Sequence, residues 1–205
     1  ALPKEKQHLV AYHRMHMRPE MAINPFDTHL GARYPGHAHK AFLVNFLTVL
    51  LLENIQESLP DGMEAMLSLV IDEVYKLTSD HQQPKRYQLG INQEIDCKLQ
   101  KLQVDSQGKS WWQITDVLFQ KNEIRLAQKT QRYAMPLLSD LINAVNQTSV
   151  MDLYKGLNLP SSEDYIQYFC RNITTVIKNL PSLNLVTRID VDARVVAFDL
   201  ASVMS

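Results

Sequence analysis

From His39 onward the apolar positions recur at helical spacing. Over residues 39–55 they cover nearly every side, which predicts a central, enclosed helix stopped by Pro60. Asp61 can then cap a helix whose Met63, Met66, Leu67, Val70, Ile71, Val74 and Leu77 form one stripe. Residues 78–89, with Asp80, Gln82, Gln83 and Pro84, read as a polar loop. Asn92 caps a short helix over 93–102 that carries Ile95, Leu99 and Leu102 on one face. After a second loop at 105–108, Ser110-Trp111-Trp112-Gln113 matches a capping box, in which the serine hydroxyl serves the amide three residues on and the glutamine reaches back. The helix it opens runs to Gln120 with Trp111, Ile114, Val117 and Leu118 inward, and another helix is expected over 123–133. Pro136 opens a helix with Leu137, Leu138, Leu141, Ile142 and Val145 on one face, and residues 149–157 form a short helix or turn closed by Gly156. Ser161 or Ser162 caps the last long helix, with the stripe Ile166, Phe169, Cys170, Ile173, Val176, Ile177 and Leu180, and Pro181 ends it.

The two ends change period. Residues 7–17 lean towards a strand through Val10 and Tyr12, and 21–26, 187–190 and 194–200 read as short strands, the last because Val195, Val196, Ala197 and Phe198 favour the pleat. The expected fold is mainly α: a multi-helix bundle with a few short β-strands near the termini. It divides into a strand-containing segment at 1–38, an all-helical subdomain at 39–181 and C-terminal strands at 182–205.

Composition narrows the picture. The 45% apolar content can fill a core, and six glycines and nine prolines are too few for a disordered chain or a turn-rich β fold. A net charge of −1 argues against gripping nucleic acid as the main task, though it leaves room for a local basic patch. The most apolar stretch, residues 41–52, includes Asn45 and Thr48 and falls well short of the roughly 20 residues a membrane span needs. Cys97 and Cys170 imply no disulfide framework and suit a reducing compartment, Cys170 lying on an apolar helical face. The chain begins at Ala1 with no leader, and both ends lie near strand-like runs, so a segment of a longer protein is expected.

Candidate chemistry is sparse. Gly31 and Gly36 have the spacing of a phosphate-binding loop, but His37 stands where its lysine belongs, and no dinucleotide fingerprint is present. Four apolar residues and Asp199 resemble the strand that holds magnesium in nucleotide hydrolases, a pattern that an ordinary core strand also explains. His8, His13 and His16 form one histidine group, and His37 and His39 another. The second pair would share a face in a strand but points apart at a helix start, and solvated or hydrogen-bonded rings account for both groups. No nucleophile elbow is present, and no catalytic, cofactor-binding or metal-binding residue is assigned. The surface offers partner-contact candidates. Lys121, Arg125, Lys129 and Arg132 recur at four, four and three positions along one helix face, which suits a solvated face or a contact for an acidic partner. Trp111 and Trp112 project about 100° apart on a helix: both can be core, or one can be exposed as an interface anchor.

Three stretches, taken in order, resemble a known family. Asn24-Pro25-Phe26-Asp27-Thr28 leads into Leu30-Gly31-Ala32-Arg33-Tyr34-Pro35 and the apolar run from Ala41 to Leu47. Trp111-Trp112 precedes Asp116-Val117-Leu118-Phe119 and the run from Gln131 to Leu138, and the run from Ala193 to Leu200 closes the set. Together they resemble the motor region of the IcmB/DotO and TraU ATPases of type IV secretion (Dot/Icm) and conjugation systems. The resemblance implies a piece of a RecA-like α/β core carrying a helical insertion, with the terminal strands belonging to the core sheet. It implies ATP and magnesium for a full-length parent whose phosphate-binding loop lies outside this piece, so the piece itself is expected to hold no cofactor and not to hydrolyse ATP. The implied partners are other subunits of a secretion apparatus, with the parent a homo-oligomer in the cytoplasm at the inner-membrane face. The alternative from another class is a self-contained helical adaptor with no motor attached.

Overall fold

The structure is a computed structural model. It describes residues 22–52, 59–80, 82–159 and 162–189, together with the backbone of two short strands, β1 (Val10–Arg14) and β2 (Val195–Asp199). Among the described residues the fold is mainly α. Eight α-helices follow in order: α1 (His37–Leu51), α2 (Met63–Thr78), α3 (Gln93–Lys101), α4 (Trp111–Gln120), α5 (Ile124–Ala134), α6 (Asp140–Val145), α7 (Thr148–Tyr154) and α8 (Tyr165–Asn179). A 3-10 turn at Pro181–Asn184 follows α8. β1 and β2 pair in parallel, Val10 opposite Val195 and Arg14 opposite Asp199.

α2 is the middle of the body. Met63, Met66, Leu67, Val70, Ile71 and Val74 are fully buried, as their spacing predicts, and α2 packs against α1, α6 and α7. α4 and α5 form a tight helical hairpin, and α8 closes the far side against α1. The caps are local chemistry. Asn92 Oδ1 accepts from the amides of Glu94 and Ile95 at 3.1 and 3.2 Å. The capping box at α4 is complete: Gln113 N donates to Ser110 Oγ at 3.1 Å and Ser110 N to Gln113 Oε1 at 2.8 Å.

Several expectations are revised. α1 is not enclosed. Only Leu43, Leu47 and Leu51 are buried along it, while Phe42 is 52% and Val49 68% exposed. A helix apolar on all sides carries no periodic contrast, so its pattern cannot say which face meets the core. Its expected extension to Ile55 falls on residues 53–58, outside the described ones. α2 is preceded not by an Asp61 side-chain cap but by Gly62 at φ +83, a left-handed conformation that glycine adopts at little cost. Asp61 instead offers its carbonyl to the Tyr165 hydroxyl at 2.6 Å. α8 is capped by Asp164, whose Oδ1 accepts from Ile166 N at 2.8 Å, rather than by a serine. α6 starts at Asp140, later than Pro136, because Asp140 Oδ2 holds Leu137 N at 2.8 Å in the preceding turn.

Residues 22–26 are a turn, not a strand. Asn24 Oδ1 accepts from Phe26 N at 3.1 Å, an Asx turn that Pro25 pre-sets. The segment belongs to the helical body, with Phe26 buried against Tyr75, whose hydroxyl donates to Phe26 O at 2.6 Å. Residues 186–189 likewise have no regular structure and pack on the helices. Residues 22–26 and 186–189 thus pack on the helices that lie between them. Among the described residues no helix is long and apolar enough to cross a membrane.

Candidate functional site

The two segments that flank the helices meet on one side of α5. Arg188 N donates to Ala22 O at 3.0 Å, and Asn24 N donates to Thr187 Oγ1 at 2.7 Å. Asn24 Nδ2 reaches Pro136 O at 2.8 Å, and Ser139 N donates to Asn184 Oδ1 at 2.8 Å. Arg132 of α5 donates to Ile189 O at 3.2 Å. Gln131, one residue earlier, is buried and fastens the N-terminal flank: its Oε1 accepts from Gly31 N at 2.7 Å and its Nε2 donates to His29 O at 2.9 Å. The Gly31 amide is thus occupied by a side chain, which removes it from the look-alike phosphate loop.

Arg33 bolts the same flank to the core. Its Nε lies 3.1 Å from Asp80 Oδ2, its Nη2 2.6 Å from Asp116 Oδ2, and its guanidinium stacks 4.2 Å from the centre of the Trp112 ring. Burial works against the guanidinium charge, but Asp116 and then Asp80 outweigh it and raise the pKa above the ordinary arginine value.

Two clefts open beside this junction. One, of about 460 Å³, lies between α5, the start of α3 and the extended segment 184–188. Lys129, Arg132 and Arg188 line it, with no Asp or Glu among the described lining residues. The other, of about 550 Å³, is lined by Asp27 with His29, His37 and His39. Asp27 is held in an environment that disfavours its charge. Burial raises its carboxyl pKa above the ordinary aspartate range, against the pull of the Thr187 and Asn24 side chains and of the Arg132 and His39 charges. Its Oδ1 is buried with no hydrogen-bond partner among the described residues. The histidines do not converge: His39 holds Pro25 O at 2.8 Å and stacks on Phe42. Among the described residues no three His, Cys, Asp or Glu side chains are grouped to hold a metal ion. Of the N-terminal histidine group, His8 and His16 lie outside the described residues and only the backbone of His13 is described.

The six partner-contact candidates separate. Trp111 and Trp112 are 3% and 1% exposed, so neither is a surface anchor. Trp111 is stacked on Tyr133 and met edge-on by Tyr87, while Trp112 Nε1 donates to Thr78 O at 3.2 Å. The Tyr87 hydroxyl is pushed up to about 12 by burial and by its 2.5 Å hydrogen bond to Asp96. The basic stripe also breaks. Lys121 is the C-cap of α4, and Asn122, at φ +60, turns the chain before α5 begins. Arg125, Lys129 and Arg132 share α5, with Arg125 and Lys129 both paired to Glu94 of α3, Lys129 at 2.8 Å. Cys97 is exposed and Cys170 half-buried, its thiol raised by burial and then by Asp164.

Sequence reasoning assigned no role to Asp27, Arg33, Thr187 or Arg188. Asp27 and Arg33 stand inside quoted motifs, but their partners lie far along the chain. Spacing alone cannot pair them.

The chain matches no protein-family model, no curated protein and no solved structure.

Proposed function

We propose that this chain is the helical docking and coupling subdomain of a motor ATPase of the IcmB/DotO and TraU kind, from type IV secretion and conjugation. The observation that carries the reading is the junction at Ala22 to Asn24 and Thr187 to Arg188, where the chain enters and leaves the helical body side by side. A body joined at one point by two adjacent connections can be inserted between strands of a sheet without disturbing it, and can move as a unit when that sheet rearranges. The parallel pairing of β1 and β2 supports the same reading. A parallel pair needs a long crossover, which the helices supply, and two strands alone are marginal in water, so neighbouring strands from the rest of a core are expected.

In this reading ATP and magnesium are bound elsewhere in the parent, and this piece presents a docking surface to neighbouring subunits in the cytoplasm at the inner-membrane face. The test is hydrogen–deuterium exchange on the full-length parent with and without a non-hydrolysable ATP analogue. Protection should change at residues 22–33 and 184–189 and little within α2. Identical protection throughout in both states contradicts the coupling role.

A further inference from the structure

We propose that the exposed face of α1 is a contact surface between two copies of this chain, packed as an antiparallel helix pair about Asn45. The inference goes beyond the motor reading and does not rest on it.

α1 packs against α2 and α8, and its buried residues are Leu43, Leu47 and Leu51. At about 100° per residue, Ala38, Ala41, Phe42, Asn45 and Val49 fall together on the opposite side, and all of them are exposed. Single exposed apolar residues are ordinary, but a contiguous row over about three turns marks a surface that another body covers. His39 stacks on Phe42 and Phe42 on Phe46, with ring centres 6.1 and 6.0 Å apart. The Phe42 ring is therefore already ordered, and little freedom is lost when it is covered.

Charge, size and polarity on the row all suit a second copy. Lys40 is the only Lys, Arg, Asp or Glu of α1, and it is held away from the row by Asp72 at 2.6 Å. The row thus offers no charge of its own to an acidic, basic or lipid-headgroup partner, and two copies of it meet without like-charge repulsion. Its N-terminal half carries the small Ala38 and Ala41 and its C-terminal half the larger Val49. An antiparallel copy sets its Val49 against Ala41, large on small at both ends of the pair. A parallel copy sets valine on valine and alanine on alanine, which leaves a gap at the small end. Asn45 lies midway between Ala41 and Val49, on the two-fold axis of such a pair. Its amide has a donor and an acceptor, and the same amide of the second copy matches both. An unlike, wholly apolar partner would bury that amide unpaired, at a cost.

The experiment is sedimentation velocity on the full chain over a range of concentrations. α1 is 15 residues long, about 22 Å, so the contact is small and dimerisation is expected in about the micromolar range. Val49→Glu and Phe42→Glu should each raise the dissociation constant about tenfold or more, and Lys121→Glu, outside α1, should leave it unchanged. Circular dichroism melting checks that each variant is folded, and Val49, being 68% exposed, keeps the test decisive where Phe42→Glu is not. Cysteine cross-linking reads the orientation in a Cys97→Ser background, with copper–phenanthroline as oxidant and the background chain alone as baseline. Asn45→Cys should cross-link to itself. Val49→Cys should cross-link to Ala41→Cys when the two are mixed but little to itself, since two copies of it lie about 12 Å apart along the pair. A chain that stays monomeric up to about 0.5 mM, a dimer indifferent to both glutamate variants, or Val49→Cys linking to itself as fast as Asn45→Cys would overturn the proposal.

Discussion

Arg33 and Arg188 sit on the two flanks that close the helical body, and their side chains meet opposite surroundings. Arg33 has an aromatic ring beneath it and a carboxylate on either side, Asp80 and Asp116, drawn from the end of α2 and from α4. Arg188 is exposed beside a cleft lined, among the described residues, by cations and apolar groups. The same side chain therefore acts as a fastener in one place and stays open to solvent in the other. The number of partners already supplied by the chain makes the difference. A desolvated arginine must be matched internally, whereas an exposed one keeps its hydration and needs no internal partner.

The comparison is broken most severely at the ring under Arg33. Trp112→Ala should cost about 3–5 kcal/mol, since it empties a fully buried site and strands Thr78 O as well as the guanidinium. Calorimetry should show a fall in Tm of roughly 10 °C, and an unchanged Tm would remove Trp112 from the core account. Arg33→Met keeps the bulk and deletes the charge, leaving Asp80 and Asp116 facing each other. The partners are partly exposed, which limits the loss to about 1–2 kcal/mol in urea unfolding, and full wild-type stability would mean the bolt holds nothing.

Asp27 sharpens the same contrast through pH. Its folded pKa lies above the unfolded value, so the fold favours the protonated carboxyl. This group's contribution is most favourable below the ordinary aspartate range and is lost as pH rises through the raised folded value. Asp27→Asn removes that dependence. The stability of the variant minus that of the wild type should therefore grow from about pH 4 to about pH 7, and a difference that is flat or falls would show that the carboxyl is not under tension. The smallest effect is on stability at Arg188. Arg188→Glu should stay within about 0.5 kcal/mol of the wild type in unfolding, so a large loss there would make Arg188 a fastener as well.

What could be read in advance was what lies close in sequence. The Ser110 box and the Asn92 cap depend on residues three or fewer positions apart, and both form as expected. The stripe of α2 is legible because polar residues punctuate it, whereas α1 lacks that contrast and its pattern does not mark Phe42 and Val49 as exposed. The basic stripe was visible as spacing, but one left-handed residue, Asn122, separated Lys121 from α5. The outer runs pair as strands at Val10–Arg14 and Val195–Asp199, whereas the apolar residues near Asn24 look β-favouring but form a turn set by a side chain. The cleft was hidden for a topological reason: Arg132 and Arg188 meet only after the chain has passed through α6, α7 and α8.

The account rests on the closure of the helical body by its own flanks. Residue-resolved hydrogen exchange on the native chain tests this directly at two amides, Asn24 N and Arg188 N, which donate across the junction. Both should exchange far more slowly than unstructured peptide and respond together when Thr187 is changed to Val. Exchange of either amide at the rate of a free loop, with α2 still protected, would contradict the closure and leave the helices without the junction on which the proposed coupling depends.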